Sequence, residues 1–175
     1  MRLMVIGYAG HGKDTACEIL RDHFGLTFES SSKFVGERAV RPYLAKRGIT
    51  YDSYDAMYQD RDNHRPDWFD AIKAFNEPDA ARLGKELYAK FDIYCGLRRR
   101  EEFLELKRQG VVQWVLWIDA SKRLPPEDQS SCTVLPSDAD AIVDNNGSLD
   151  DLRQNIVHAY SDASWAIYHR RMTLP

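Results

Sequence analysis

The chain has 175 residues, of which 43% are hydrophobic and 29% charged, and its formal net charge is −3. This length and composition predict one compact α/β domain spanning residues 1–175 with its own hydrophobic core, rather than two domains or a disordered tail. The negative charge disfavours a protein that coats nucleic acid, although it leaves room for a local basic cleft.

Cysteine usage and hydropathy indicate the compartment. Cys17, Cys95 and Cys132 are far apart and odd in number, and no C-x-x-C pair occurs, so neither a disulfide framework nor a zinc site is implied. The amino terminus does not follow the signal-peptide pattern, because glycines interrupt its apolar run from Gly7 onward, and no apolar stretch approaches a membrane span. We therefore predict a cytoplasmic protein with reduced thiols and no membrane partner, as a monomer or a homodimer.

The first predicted elements are a strand, a glycine-rich turn and a helix. Residues 4–6 form an apolar run, and G-x-x-x-x-G-K follows from Gly7 to Lys13. In such a phosphate-binding loop, backbone N–H groups surround a polyphosphate and the lysine contacts its β and γ phosphates. Apolar residues after the loop recur at three- and four-residue spacing, which predicts a helix whose positive N-terminus faces the same anion. The predicted nucleotide-binding residues here are Gly10, His11, Gly12, Lys13, Asp14 and Thr15.

One position departs from the general loop pattern. Asp14 stands where a hydroxyl normally contacts magnesium, and Thr15 comes one residue later. We assign both residues to the magnesium site. The chain has no Asn-Lys-x-Asp motif for reading guanine, which favours ATP as the nucleotide.

The next segment is predicted to carry a strand, a helix and a polar excursion. Residues 26–28 indicate a short strand, and the serines at 30–32 can cap a helix that Pro42 should bend or shorten. Residues 48–65 are rich in Tyr, Asp and Asn with few aliphatics. This composition predicts a mobile surface excursion rather than core, and it suits a substrate flap.

Strands and helices then alternate to the end of the chain. Helices are predicted from Pro66, near residues 81–87 and over 101–109, and strands over 92–95 and 111–118.

A long polar loop is predicted over residues 119–136, because it holds three prolines and no hydrophobic period. A last strand at 141–143, a turn at 145–147 and a capped terminal helix follow. Such alternation implies the three-layer sandwich of P-loop NTPases, with a mostly parallel central sheet and its ligands at the carboxyl ends of the strands.

Three segments together resemble bacteriophage deoxynucleoside monophosphate kinases, which belong to the adenylate-kinase-like P-loop group. They are the loop 7–15, the segment 92–98 followed by the glutamates 101–102, and the segment 140–147. The resemblance implies that Thr15 takes the hydroxyl role, because the group's loop often reads Gly-Lys-Gly-Thr or Gly-Lys-Asp-Thr. It also implies transfer of a phosphate from ATP, with Mg²⁺, to a nucleoside or deoxynucleoside monophosphate, without naming the base.

The resemblance is incomplete at the third strand. In the family, that strand commonly ends in an aspartate just before the substrate-binding arginine, whereas Gly96 and Leu97 precede Arg98 here. Magnesium keeps several waters in phosphoryl-transfer sites, so the nucleotide, Thr15 and Asp14 can hold it without that aspartate.

Phosphoryl transfer through a loose transition state needs positioned cations, and no general base is required when the acceptor is a phosphate. We therefore expect the His11 side chain to face solvent or the flap. Arg98 follows a central strand at the edge that carries the loop, although it also belongs to a run of three arginines. The lid of the resembled family falls at residues 122–123. The predicted catalytic cations are Lys13, Arg98 and Arg123; Lys122 joins the nucleotide site, and Arg38, Arg65 and Arg98 bind the acceptor, within an acceptor-binding excursion at about 30–75.

Other assignments stay open. Surface pairing with Glu37 explains Arg38 equally well, and the tyrosines at 51, 54 and 58 are candidates for stacking on a base. A kinase acting on a modified base in DNA or on another small metabolite would share the loop. So would a non-catalytic protein that binds nucleotide.

Overall fold

The computed structural model describes residues 1–127 and 132–172, with only the backbone of Arg171. Five strands form one sheet in the order β2-β3-β1-β4-β5, and every neighbouring pair is parallel. The strands are β1 (Leu3–Ile6), β2 (Phe28–Ser30), β3 (Ile93–Cys95), β4 (Trp114–Asp119) and β5 (Ala141–Asp144). The predicted parallel sheet is confirmed.

Eight α-helices connect or flank the described strands. They are α1 (Lys13–Phe24), α2 (Ser31–Val35), α3 (Arg41–Lys46), α4 (Tyr54–Gln59), α5 (Arg65–Phe75), α6 (Arg82–Tyr88), α7 (Arg100–Arg108) and α8 (Leu149–Met172). Gly36–Val40 forms a π-helical turn, and Asp60–Asp62 and Pro136–Asp138 form short 3₁₀ turns. Within the described part of the chain, no helix has the length and apolar character needed to cross a bilayer.

Both faces of the sheet are covered. Side chains alternate along β1, so Met4 and Ile6 enter one core while Leu3 and Val5 enter the other, and all four are fully buried. The first core takes apolar side chains from α2, α6 and α7, and the second takes them from α1 and α8. Helix, sheet and helix thus form the predicted three layers, and the carboxyl end of β1 is free to carry the glycine-rich loop.

The segment predicted as a mobile surface excursion is instead partly helical and partly core. It contains α4, and Met57 of this helix is fully buried in a third apolar cluster with Trp68 and Leu44. Tyrosines supply much of the cluster's apolar surface: the Tyr58 ring lies 6.0 Å from that of Trp68, edge to face. The prediction was wrong here because these rings were counted with the polar residues, although a buried Tyr contributes a large apolar area.

Two smaller expectations can be compared with the structure. Pro42 does not end the helical run after β2: the run continues as α2, the π-helical turn and α3, and Pro42 lies in the first turn of α3, directly after the π-helical turn. In the predicted lid loop 119–136, residues 128–131 lie outside the described residues, and the remainder is irregular apart from the end of β4 and the 3₁₀ turn.

Candidate active site

The glycine-rich loop ends on the N-terminus of α1 in the geometry of an anion site. Gly12 is the N-cap residue with φ 91° and no side-chain cap, so the first backbone N–H groups of α1 remain available to a ligand. A Cβ at Gly12 would collide with the Asn145 side-chain amide, which donates to the His11 carbonyl at 2.9 Å. The loop is therefore held from behind by the segment after β5.

Lys13 lies inside this loop. Its Nζ donates to the Tyr8 carbonyl at 2.7 Å. Burial and the nearby charge of Arg98 lower the pKa of Lys13. A bound anion in contact with Lys13 would favour the charged form of its amine. Contact with the phosphates of the nucleotide is the role predicted for Lys13 and stays a prediction.

A carboxylate that sequence analysis missed is bound at the mouth of the loop. Glu127 Oε2 accepts the Ala9 N–H at 2.6 Å, while Oε1 lies 2.6 Å from Arg98 Nη1 and 3.5 Å from Arg65 Nη1. Burial raises the pKa of Glu127, but the hydrogen bond and charge of Arg98 outweigh it and leave the pKa below its usual value. The carboxylate is ionised at neutral pH and lies between the glycine-rich loop and two arginines.

A cavity of about 520 Å³ opens beside the loop. Lys13 and Asp14 line it at the loop, and aromatic rings and four arginines line it elsewhere. Its aromatic and basic residues are Tyr58, Trp68, Phe69, Tyr94, Arg61, Arg65, Arg98 and Arg99. It can therefore take a ligand with an anionic end near the loop and a flat apolar part.

The structure brings several predicted residues together at this cavity. Gly10, Lys13, Asp14, Arg65 and Arg98 all line it. Arg65 stands at the start of α5 and Arg98 just after β3, so two elements distant in sequence deliver the guanidinium groups to one anion. The polar segment before α5 also reaches the cavity, through Tyr58, Arg61 and Asp62, and its acceptor-binding role stays a prediction.

Arg38 is not brought to the cavity. Its guanidinium pairs with Glu86 at 2.8 Å and lies 4.4 Å from the centre of the Phe34 ring. It points away because it sits in the π-helical turn, on the side that faces α6. The substrate-binding role predicted for Arg38 has no support in this geometry.

Lys122 and Arg123 lie at the other side of the loop. The Arg123 guanidinium donates to the Asn145 carbonyl, with Nε at 2.9 Å, and the Lys122 backbone N–H donates to Asn146 Oδ1 at 2.9 Å. Both side chains are exposed, and neither lines the cavity. They lie in the connection between β4 and β5, beside the glycine-rich loop. A role on the nucleotide side stays a prediction, and contact with the acceptor is not indicated.

The His11 side chain does not face solvent or a flap, so that expectation was wrong. It is fully buried, and its Nδ1 accepts the Ala120 N–H at 3.0 Å. The Tyr8 ring packs edge-on against it at 5.4 Å. Because Nδ1 accepts, the ring proton resides on Nε2, which has no hydrogen-bond partner in the described part of the chain. His11 shapes the loop from behind.

The residues assigned to magnesium fit a hard cation in donor type. Asp14 is exposed at the cavity and Thr15 is half-buried, both in the first turn of α1. Cys95 Sγ, at the end of β3, donates to Asp14 Oδ1 at 3.5 Å. The Asp14 carboxylate thus lies against the end of β3, close to where the resembled family places an aspartate. Among the described residues no cluster of three or more His, Cys, Asp or Glu side chains is suited to a metal, so any ion here needs nucleotide or water oxygens as well.

Glu102 on α7 is a second carboxyl for which no role was predicted. Glu102 is only 4% exposed and lines the cavity. The Tyr94 hydroxyl donates to its Oε1 at 2.8 Å and Asn76 Nδ2 donates to its Oε2 at 3.1 Å. Burial raises the pKa of Glu102 to about 7. Its spacing offered a signal, because it stands four residues before the buried Leu106 and so on the inward face of α7.

The fold is similar to that of solved kinases. A shikimate kinase from Aquifex aeolicus VF5 matches at 15% identity and a TM-score of 0.50, covering 94% of this chain and 99% of its own. A gluconokinase from Sinorhizobium meliloti 1021 matches at 12% identity and a TM-score of 0.51, covering 96% and 95%. A shikimate kinase from Bacteroides thetaiotaomicron matches at 10% identity and a TM-score of 0.51, covering 92% and 97%.

No protein-family model matches the sequence, and no curated protein sequence matches it. At identities of 10–15% the structural likeness establishes the fold alone. The chain therefore has a kinase-like P-loop fold with a parallel five-stranded sheet.

Proposed function

We propose that this protein transfers the γ-phosphate of ATP to a nucleoside or deoxynucleoside monophosphate and forms the diphosphate. One observation carries the proposal. Arg98, Arg65 and the Ala9 N–H converge on a single ionised carboxylate at the mouth of the loop. An anion site shared by the donor loop and two arginines of the acceptor cavity is what a reaction between two phosphates needs.

The acceptor would lie in the cavity with its phosphate toward the loop. Arg98 and Arg65 would bind that phosphate in place of Glu127, and the aromatic wall formed by Tyr58, Trp68 and Phe69 would contact the base. An acceptor phosphate oxygen attacks the γ-phosphorus, the bond from that phosphorus to the ADP oxygen breaks, and ADP leaves. No protein group has to remove a proton, because the attacking oxygen belongs to a phosphate.

Catalysis would then rest on positioned charge. Lys13 would shift from the Tyr8 carbonyl to the donor phosphates, and Arg98 would neutralise charge that develops on the transferred group. Asp14 and Thr15 would hold Mg²⁺, which neutralises phosphate charge when bound. Arg123 and Lys122 would act from the nucleotide side, beside Asn145 and Asn146.

A second candidate is transfer to a small metabolite without a phosphate. The structural neighbours named shikimate kinase and gluconokinase favour it. Transfer to a hydroxyl would need a base, and Asp14 or a displaced Glu127 would have to supply it. Arg98 and Arg65, which converge on a carboxylate at the loop, favour the more anionic acceptor.

The test measures diphosphate formation from each common ribonucleoside and deoxyribonucleoside monophosphate with ATP and Mg²⁺. Shikimate, gluconate and a single-stranded oligonucleotide serve as alternative acceptors. We expect turnover of at least one monophosphate, and a loss of at least about a hundredfold in rate for Lys13→Ala, equivalent to about 3 kcal/mol of lost electrostatic stabilisation. Lys85→Ala, an exposed lysine paired with Asp79, is the matched control.

Three outcomes would contradict the proposal in different ways. Turnover of a non-phosphate acceptor alone would establish the second candidate. ATP binding without turnover of any acceptor would indicate a non-catalytic nucleotide-binding protein. Unchanged ATP affinity and rate in Lys13→Ala would remove the donor-site assignment itself.

A further inference from the structure

We propose that Glu102 selects the acceptor base: its carboxylate accepts hydrogen bonds from a nucleobase edge with two adjacent N–H donors, as guanine has, and discriminates against thymine and uracil. This inference rests on the proposed function and extends it to the base end of the acceptor. It concerns a residue of the cavity wall that does not belong to the phosphate site.

The position of Glu102 joins the base end to the phosphate end. Arg98 follows β3 and contacts the anion at the loop, and Glu102 lies four residues later, in the first turn of α7. Both line the same cavity. A ligand whose phosphate lies on Arg98 therefore has Glu102 within the wall that surrounds its remaining part.

The carboxylate has acceptor capacity left over. The Tyr94 hydroxyl uses one site on Oε1 and Asn76 Nδ2 uses one site on Oε2. Asn76 is itself fixed in orientation, because its Oδ1 accepts the Leu83 N–H at 2.9 Å. An ionised carboxylate offers about four lone-pair sites, so each oxygen keeps one. Two parallel acceptors match two parallel donors.

The nucleobases differ in how they meet this pattern. Guanine presents N1–H beside its exocyclic N2 amine, and both can donate to one carboxylate. Adenine and cytosine present one amine beside an acceptor nitrogen. Thymine and uracil present one N–H between two carbonyl oxygens, which a carboxylate repels. The expected order is therefore guanine first and thymine or uracil last.

Glu102 makes no ion pair with any of the described residues. Arg99, whose charge favours the ionised form of Glu102, makes its ion pair with Glu101 at 3.2 Å and lies 4.6 Å from the centre of the Phe69 ring. Burial raises the pKa of Glu102, which indicates that its two protein hydrogen bonds only partly replace water. Two N–H donors from a ligand would stabilise the ionised form and be bound strongly for that reason.

The experiment measures binding without ATP, by titration of the protein with dGMP, dAMP, dCMP and dTMP. We expect wild-type protein to bind dGMP at least about tenfold more tightly than dTMP, the effect of one hydrogen bond to a charged group. Glu102→Gln should bring the two affinities within about threefold of each other. Glu105→Gln is the matched control, because Glu105 lies on the same helix, bonds Arg108 and Gln109, and does not line the cavity.

Each outcome decides the inference. Equal affinity of wild-type protein for dGMP and dTMP overturns it, as does a Glu102→Gln variant that binds with the wild-type preference. If thermal melting shows that Glu102→Gln does not fold, the wild-type preference alone decides. The predicted preference without phosphorylation by ATP supports the role of Glu102 and contradicts the proposed kinase activity. Phosphorylation of the monophosphates without a base preference supports the kinase activity and contradicts the role of Glu102. Failure to bind any monophosphate overturns both proposals.

Discussion

Glu102 should make the stability of this protein fall as the pH rises from acid to neutral. Its ordinary pKa is 4.5, and burial raises it to about 7 in the folded protein. Below pH 4.5 both the folded and the unfolded state hold the proton, and above pH 7 neither does. Between these values only the folded state holds it, so the free energy of unfolding falls with pH across this window.

The magnitude follows from the two pKa values. Each pKa unit corresponds to about 1.4 kcal/mol, so the carboxyl contributes about 3 kcal/mol that is present below pH 4.5 and lost by about pH 8. Burial is the largest cause of the raised pKa. The hydrogen bonds from Tyr94 and Asn76 and the charge of Arg99 act in the opposite direction, which is why the pKa does not rise further.

The assay is urea denaturation of wild-type protein and Glu102→Gln at a series of pH values from 4.5 to 8.5. Other groups titrate in the same range, so the informative quantity is the difference in the free energy of unfolding between the two proteins at each pH. Gln keeps the size of the side chain and does not titrate; its NH2 group replaces one accepting oxygen, which shifts stability by an amount that does not vary with pH. We expect wild-type protein to lose about 3 kcal/mol relative to the variant as the pH rises. A difference that stays constant within about 1 kcal/mol would refute the claim that Glu102 is buried without adequate compensation.

Three further comparisons of variants test the geometry of the site. Arg98→Ala should raise the KM for the acceptor at least about tenfold, because Arg98 bonds the carboxylate at the loop. Arg38→Ala should change this KM less than about twofold, because Arg38 is outside the cavity. Equal effects of the two variants in steady-state kinetics would contradict the prediction. Glu127→Gln should lower the Kd for a monophosphate, measured by titration, about tenfold. The reason is that the phosphate would no longer have to displace an ionised carboxylate from Arg98 and the Ala9 N–H. Weaker binding would mean that Glu127 contacts the ligand instead. Gly12→Ala should lower the free energy of unfolding, measured by urea denaturation, by about 1–3 kcal/mol more than Gly25→Ala does. Both glycines have positive φ, but only at Gly12 would a Cβ collide with a neighbour. Equal losses of stability would show that no such collision occurs.

Local sequence patterns were sufficient for the scaffold. The apolar run before Gly7, the loop and the periodic residues of α1 each depend on neighbours within a few positions, and all three were predicted in the right order. The parallel sheet followed from the alternation of strands and helices, because a crossover helix forces neighbouring strands to run in the same direction.

Tertiary partners decided the cases that sequence missed. His11 stands between two glycines, and its position depends on distant segments: the Ala120 N–H bonds its ring and the Asn145 side chain bonds its carbonyl. Glu127 lies in a proline-rich stretch with no periodicity, so nothing local indicates that its carboxylate reaches the Ala9 N–H. Arg38 follows the reverse course: its position in sequence suited the acceptor site, and a π-helical turn directs it to Glu86 instead.

The two missed carboxylates differ in how much the sequence could have revealed, and the difference is physical. Glu102 belongs to a regular helix, so its inward direction was readable from Leu106 one turn later, and a charged residue on an inward face already indicates a buried polar site. Glu127 belongs to no regular element, and its place at the loop depends on the ion pair with Arg98, a contact between segments 29 residues apart. In a regular helix the spacing of residues shows in which direction each side chain projects. In an irregular segment that direction depends on the groups that the side chain contacts. Side chains on irregular segments are therefore the ones that sequence reasoning misses, and here they include Glu127, whose carboxylate lies between the glycine-rich loop, Arg98 and Arg65 in the described structure.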